Sequence, residues 1–250
     1  MTDLPTLVDY CADLLAVGEF EDYCPNGLQV EGRDQVRRIV SGVTASQALI
    51  AAAAEEGADA LLVHHGFFWK GEDPRLVGIK GRRIRALHAS GLSLLAYHLP
   101  LDAHPELGNN RRLADVLGIE AAQPAESAQP LLWRGRLAVA QSAPEFADRV
   151  ARALGRMPLH IPAAERPIRS LAWCSGGGQR YIEQAAALGV DAFLSGEISE
   201  STTHQARESG VDYFAIGHHA SEREGVRALG EHLGQRFGLT HRFVDIDNPA

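Results

Sequence analysis

The sequence has little of several features that would each define a class of protein. Its 3 cysteines, at positions 11, 24 and 174, are scattered and form no CxxC pair. This spacing argues against a disulfide framework and a cysteine-rich zinc module. No apolar run reaches the ~18 residues of a transmembrane helix. The opening stretch MTDLPTLVDY is acidic rather than basic, which argues against a signal peptide. We therefore expect a cytoplasmic protein with no membrane partner.

Positive charge is also scarce. The 250 residues include 24 Lys and Arg against 32 Asp and Glu, a formal net charge of -8. A nucleic-acid-binding surface needs basic groups that neutralise phosphates. The charge balance therefore disfavours nucleic acid as a partner. Three arginine groups could still cluster, although such groups are more often solvated helix faces: Arg37 and Arg38, Arg82, Arg83 and Arg85, and Arg111 and Arg112. A hydrophobic fraction of 45% is ordinary for a globular protein.

Apolar segments alternate with amphipathic ones along the chain. RRIVSGV, ADALLV and LSLLAYHL have the composition of buried strands, and helix patterns in SQALIAAAAEEG and IKGRRIRALHASG separate them. The alternation returns in IRSLAWCSG, VDAFLSG and VDYFAIGHH. Strands that alternate with helices predict an α/β protein with largely parallel sheets.

The two halves of the chain resemble each other. GADALLVHH, from Gly57, parallels GVDAFLSGE, from Gly189, and GLSLLAYH, from Gly91, parallels GVDYFAIGH, from Gly210. We therefore predict two internally similar α/β domains. The first would comprise residues 1–125 with 190–250 and carry the functional site. The second would include the central segment 126–189, after a poorly ordered connector at 121–130 (AAQPAESAQP).

Histidines stand at the carboxyl ends of three predicted strands. His64 and His65 follow ADALLV, His98 follows LSLLAY, and His218 follows VDYFAIG. Ligands of open α/β sheets bind at this end because loops and helix N-termini converge there. Glu197 occupies the place in the second half that His65 occupies in the first, so it is expected to face the same cleft without being a ligand.

A carboxylate follows two of these histidines at the same spacing. Asp102 lies four residues after His98, and Glu222 lies four residues after His218. Imidazole and carboxylate groups are preferred ligands of Zn, Fe, Mn, Co and Ni. These groups outnumber the ligands of one ion, so the pattern predicts two divalent ions that activate a shared water. A strand-end histidine taken alone is more often a hydrogen-bonded rim residue.

Five stretches carry a resemblance to a known family. DYCPNGLQVEG, LLVHHGFFWKG, AYHLPLDAHPELGNN, DAFLSGE and GHHASEREGV resemble the Nif-three-like family of dinuclear-metal hexameric proteins, often labelled GTP cyclohydrolase 1 type 2 homologues. The resemblance implies two interlinked α/β domains and a toroidal homohexamer. It also implies a set of metal ligands: His64, His65, Asp102, His218 and Glu222, with Glu222 as the bridge between two ions. His98 would be a close neighbour, as a ligand or a proton shuttle.

The two adjacent histidines indicate how the ligands would be divided between two ions. Side chains of successive strand residues point to opposite sides, so His64 and His65 reach one cleft only if the backbone turns, which Gly66 permits. We therefore expect the two imidazoles to serve different ions. One would join Asp102 and the other His218, with Glu222 spanning both.

The Ser175-Gly-Gly-Gly-Gln loop allows two interpretations. Following a strand, it could cradle an anion at a helix N-terminus. It could equally be a tight turn that needs a positive φ, and we favour the turn.

Three functions compete on this evidence. The first is a metal-dependent hydrolase that uses a metal-bridging hydroxide on a nucleotide-like or small phosphorylated substrate. The second is a non-enzymatic metal carrier or chaperone, and the third is a ring that contacts nucleic acid. A hydrolase needs an open coordination position, a carrier needs exchange of its ion, and a nucleic-acid ring needs a basic lining.

Overall fold

The computed structural model describes residues 1–126 and 129–250, and its chain forms two compact units. Unit 1 comprises Met1–Leu107 and Gly225–Asp247, and unit 2 comprises Gly108–Glu224 and Asn248–Ala250. This division differs from the expected domains for 108–125, 190–224 and 248–250, which belong to unit 2. The reason is strand pairing, because the strands within 190–224 extend the sheet that contains residues 168–174.

Unit 1 is built on a five-stranded sheet. Its strands are, in spatial order, Thr240–Phe243 (β13), Arg38–Thr44 (β4), Ala60–His65 (β5), Ser93–Ala96 (β6) and Gly27–Val30 (β2). Four of them run parallel, and β2 closes one edge antiparallel. A separate ribbon pairs Thr2–Asp3 (β1) with Gln35–Val36 (β3). The parallel sheet expected for this part of the chain is confirmed.

Helices cover both faces of the unit 1 sheet. They are Leu4–Leu14 (α1), Gln47–Glu55 (α2), Gly78–Ser90 (α3), Leu99–Ala103 (α4) and Arg223–Phe237 (α10), and Val17–Glu19 forms a 3-10 turn. Side chains alternate along each strand, so Leu61 packs with α2 and α3 while Leu62 packs with α1 and α10. Two apolar layers therefore hold the strand that ends in His64 and His65.

Unit 2 is built on a six-stranded mixed sheet. Its strands are, in spatial order, Glu120–Glu126 (β7), Gln129–Gln141 (β8), Ile168–Cys174 (β10), Ala192–Ser195 (β11), Asp212–Ala215 (β12) and Leu159–Ile161 (β9). Among the described strands, the neighbouring pairs β10–β11 and β11–β12 are parallel, and the other neighbouring pairs of this sheet are antiparallel. The helices are Asn109–Leu117 (α5), Ala143–Leu154 (α6), Ile182–Ala187 (α7), Glu200–Ser209 (α8) and His218–Ser221 (α9), and Gln179–Tyr181 forms a 3-10 turn.

The expectation of a poorly ordered connector at 121–130 is wrong for the part of this segment that the structure describes. β7 covers this segment as far as Glu126, β8 begins at Gln129, and the two strands pair antiparallel. Ser127 and Ala128 lie outside the described residues. Pro124 is compatible with β7 because β7 is an edge strand, where a missing N–H need not interrupt the sheet.

The internal repeat is present in both sheets. The order β4-α2-β5-α3-β6 in unit 1 has the same strand and helix succession as β10-α7-β11-α8-β12 in unit 2. Asp59 and Asp191, one residue before β5 and β11, have the same role. Asp59 accepts the backbone N–H of Arg37 at 2.8 Å, and Asp191 accepts that of Arg169 at 3.1 Å. Among the described residues, no helix is long and apolar enough to cross a membrane.

Candidate metal centre

Unit 1 gathers three histidines at the carboxyl edge of its sheet. His64 and His65 end β5, and His98 follows the neighbouring parallel strand β6. The ring centroids are 4.6 Å apart for His64 and His65, 5.0 Å for His64 and His98, and 5.7 Å for His65 and His98. One ring nitrogen from each lies within 4.8 Å of the other two, so the three form a group that could hold a metal ion.

The hydrogen bonds of His64 define which of its nitrogens could bind a metal. Its Nδ1 lies 2.8 Å from the backbone oxygen of Tyr97, and a carbonyl only accepts, so Nδ1 carries a proton. Nε2 lies 3.5 Å from Oδ1 of Asp102, and both residues are buried. In its neutral form the imidazole would direct the Nε2 lone pair toward this carboxylate, an arrangement that a shared cation would stabilise.

The other histidines are fixed in the same way. Nδ1 of His65 lies 3.3 Å from Oγ1 of Thr44, and Nδ1 of His98 lies 2.7 Å from Oδ1 of Asp22. Metal-binding histidines almost always have their second nitrogen held by an oxygen, which fixes the ring and its tautomer. In all three residues of unit 1, a metal would therefore be bound through Nε2.

Unit 2 contains a compact histidine and carboxylate pair. His218 begins α9, and its Nε2 lies 3.2 Å from Oε2 of Glu222, which is 3% exposed. Nδ1 of His218 lies 2.7 Å from Oε1 of Glu197. Burial alone would lower the pKa of His218, but Glu222 and then Glu197 raise it to about 9 through hydrogen bonds and negative charge. The metal-free pair thus holds a proton where a divalent ion would compete for the same lone pairs.

A glycine makes room for this pair. Gly176 has φ +59, and a Cβ built on it would lie 2.1 Å from Oε1 of Glu222 and 3.1 Å from Nε2 of His218. The turn favoured for residues 175–179 is confirmed by this positive φ. Two of its amides are engaged, since Gly176 N–H donates to Ser221 Oγ and Gly178 N–H donates to the Gly176 oxygen, both at 2.9 Å. The loop therefore makes room for Glu222 rather than forming an anion cradle.

Asp22, Cys24 and His98 form a second group in unit 1 with metal-ligand spacing. The bonds of Asp22 give this group a structural explanation. Its carboxylate accepts from the backbone N–H of Tyr23 and Leu99, from Asn26 Nδ2 and from His98 Nδ1. These bonds occupy the lone pairs that a cation would need, so Asp22 is a hub that orients His98. Sequence reasoning missed it, although it lies in the stretch DYCPNG that carried the family resemblance.

Asp22 should show its role in the pH dependence of stability. Burial would raise its pKa, but hydrogen bonds and charge, those of His98 first, hold it at about 2 against the usual 3.8. The ionised form therefore stabilises the fold above pH 3.8, and this contribution disappears as the pH falls toward 2. We expect Asp22→Asn to lower the free energy of unfolding of the metal-free protein by about 2 kcal/mol at pH 7.

Urea unfolding of the parent and Asp22→Asn at pH 7, 5 and 3 tests this expectation. The difference between the two proteins should be constant from pH 7 to 5 and smaller at pH 3. A difference that is absent at pH 7, or that grows on acidification, would contradict the role given to Asp22.

Both units thus place histidines with a fixed Nδ1, and carboxylates beside them, where parallel strands end. This donor set defines an α/β protein with buried groups that could hold metal ions. The chain belongs to the Duf34/NIF3 (NGG1p interacting factor 3) family, whose model matches residues 2–249. The family expected from the sequence is confirmed.

Individual relatives resemble the chain over its whole length. A protein of Allochromatium vinosum named GTP cyclohydrolase 1 type 2 homolog is 60% identical and covers 100% of this chain and 98% of its own. One of the same name from Pseudomonas aeruginosa is 57% identical, with 99% and 98% covered. Among solved structures, protein ybgI, of unknown function, matches with a TM-score of 0.96 at 47% identity, and TTHA1606 from Thermus thermophilus with 0.90 at 36%. Both matches cover 100% of each chain.

Proposed function

We propose that this protein is a dinuclear metal-dependent hydrolase that acts on a small, nucleotide-like substrate. The observation that carries the proposal is the paired donor set, in which His64 with Asp102, and His218 with Glu222, each oppose an imidazole Nε2 to a carboxylate oxygen. Two bound divalent ions would activate a shared water and polarise a substrate oxygen. The cyclohydrolase label of the relatives supports the nucleotide-like substrate class.

The proposed ligand set is the one expected from the sequence. His64 and Asp102 would hold the first ion, His65 and His218 the second, and Glu222 would be shared by both. The 3.5 Å separation of His64 Nε2 and Asp102 Oδ1 supports the first assignment. The ions would be zinc, iron, manganese, cobalt or nickel, since the donors are nitrogen and oxygen.

His98 is the residue proposed to move a proton. Asp22 accepts from its Nδ1, so its Nε2 is the nitrogen that can exchange a proton with a reacting group. Its ring centroid is 5.0 Å from that of His64, so this nitrogen belongs to the same cluster as the first metal ligands. Asp22 would act through His98 by fixing its tautomer, as carboxylates do for catalytic imidazoles.

Anaerobic purification followed by metal restoration tests the reaction. The metal-free protein would be loaded separately with each candidate ion and screened with nucleotides, nucleosides and phosphoesters. We expect hydrolysis that depends on the ion, disappears with a chelator, and is absent in Glu222→Gln. Stable metal loading with no hydrolysis of any compound, together with rapid exchange of the ion, would contradict the hydrolase and favour a metal carrier.

We further propose a cytoplasmic homohexamer. Family membership supports the ring, and unit 1 has apolar surface for a partner copy, with Leu76, Val77 and Ile79 exposed at 51%, 61% and 62%. Burial of all three cysteines outside any disulfide supports the reducing compartment. Light scattering should give about six times the chain mass of 27.0 kDa, and a stable monomer at micromolar concentration would contradict the ring.

A further inference from the structure

Two aromatic side chains stand beside the histidine cluster of unit 1. The Trp69 ring centroid is 5.1 Å from that of His98, at an interplanar angle of 87°, and 5.9 Å from that of His65. Tyr23 meets His98 edge-on at 6.4 Å. Trp69 is half-buried and Tyr23 is 48% exposed, so neither belongs wholly to the apolar core.

The loops that carry these rings are tied to each other. The backbone N–H of Lys70 donates to the backbone carbonyl oxygen of Tyr23 at 2.6 Å. The backbone N–H of Phe67 donates to Oε1 of Gln29 at 2.6 Å, and Nε2 of Gln29 donates to the Pro25 oxygen at 2.8 Å. Two cross-connected loops therefore hold the aromatic rings at a fixed distance from the histidines.

The backbone beside Trp69 adopts a conformation that side chains disfavour. Phe68 has φ +65, one of three positive φ values at described residues other than glycine. Such a residue costs on the order of 1 kcal/mol, and strain of this kind clusters at functional sites. Phe67 is buried in the core at 4% exposure, so the strained residue connects a core anchor to the half-buried indole.

We propose that Trp69, with Tyr23 at its side, is a stacking platform for a planar heteroaromatic ring of the substrate. This inference rests on the proposed function and specifies which part of a nucleotide-like molecule is recognised. If a heteroaromatic ring of the substrate stacked on the indole, the substrate bonds adjoining that ring would lie next to His65 and His98. Base stacking on an aromatic side chain is tolerant of base identity, because every base has a π-face.

Two observations favour recognition of the ring over recognition of a phosphate. The glycine-rich turn at residues 175–178 could have cradled a phosphate. However, its Gly176 N–H donates to Ser221 Oγ, and its Gly178 N–H donates to the backbone oxygen of Gly176. The chain also has a net charge of -8, which opposes binding through phosphate charge alone. The aromatic platform needs no charge complementarity.

Tryptophan fluorescence provides a built-in probe. The chain has 3 tryptophans, and Trp133 and Trp173 are 1% and 0% exposed in the core of unit 2. The metal-loaded protein would be titrated with adenosine and guanosine, and with ribose 5-phosphate as the probe that lacks a heteroaromatic base. We expect both nucleosides to quench the emission and ribose 5-phosphate to leave it unchanged. In Trp69→Phe the quenching should vanish while calorimetry still detects nucleoside binding.

Trp69→Leu separates stacking from general packing. It should keep the parent's metal content and weaken nucleoside binding at least about fivefold, the factor that corresponds to the lower end of stacking energies. An unchanged affinity of Trp69→Leu for nucleosides would overturn the proposed stacking platform. So would parent protein that binds ribose 5-phosphate as tightly as a nucleoside, or that holds two ions and binds no nucleoside. A parent that binds no ions would instead refute the dinuclear centre, so the two failures are distinguishable.

Discussion

Replacing Glu222 by glutamine should remove both of the proposed divalent ions from the protein. Glu222 is 3% exposed, and its Oε2 lies 3.2 Å from Nε2 of His218. The amide has nearly the same volume but carries no charge, so packing is retained while the shared anionic ligand is lost. Under metal-limited conditions we expect the metal content, measured by elemental analysis, to fall from two ions per chain to close to none. The side chain of Glu200, which pairs with His204 at the exposed surface, offers Glu200→Gln as a matched control with unchanged metal content.

The number of ions that Glu222→Gln retains is decisive. Loss of one ion would place Glu222 on a single metal. Loss of neither would remove it from the metal centre. Circular dichroism of the metal-free variant should match that of the metal-free parent, because the substitution leaves the buried volume almost unchanged.

Gly176→Ala should be the most damaging alanine substitution at a positive-φ glycine in unit 2. The new Cβ would lie 2.1 Å from Oε1 of Glu222, which is too short for any contact. Gly189 is the matched control, because it has φ +69 and no atom within 4 Å of a built Cβ. Both variants incur the left-handed backbone cost of about 1–2 kcal/mol. Only Gly176→Ala adds steric overlap, which typically costs about 1–3 kcal/mol more.

Urea unfolding and metal titration of the two glycine variants measure this difference. Gly189→Ala should keep the parent's metal affinity, since its cost is confined to the backbone. Gly176→Ala should bind metal at least about tenfold more weakly, because a displacement of Glu222 moves one ligand oxygen away from His218. Equal destabilisation of the two variants, with equal metal content, would show that Glu222 does not depend on the space that Gly176 leaves.

Much of the fold was predictable because its signal is local. ADALLV and VDAFLSG are short apolar runs between helix patterns, and they became β5 and β11 at the centres of the two sheets. Spacing alone placed His64, His65 and His98 at strand ends, and the parallel pairing of β5 with β6 brought them together. The outer part of the second sheet was not predictable. AAQPAE has neither the alternation nor the β-branched residues of a strand, and it is strand because β8 pairs with it.

Contacts between distant residues explain what else the sequence did not reveal. Asp22 is 76 positions from His98, and Thr44 is 21 positions from His65, yet each holds the Nδ1 of its histidine. No periodicity connects such pairs, since they arise only when loops and parallel strands assemble. Gly176 was identified as a turn residue from its glycine neighbours, but its closeness to Glu222 depends on the packing of α9.

Metal stoichiometry and ligation test the proposed dinuclear centre most directly. Anaerobically purified protein would be analysed for its elements and crystallised, and anomalous scattering would locate each ion and its ligands. We expect two divalent ions per chain, bound by nitrogen and oxygen atoms of His64, His65, Asp102, His218 and Glu222 and by no sulfur. A single ion that takes both His64 and His65, an ion bound by Cys24, or a chain that stays without metal after loading with every candidate ion would contradict this centre.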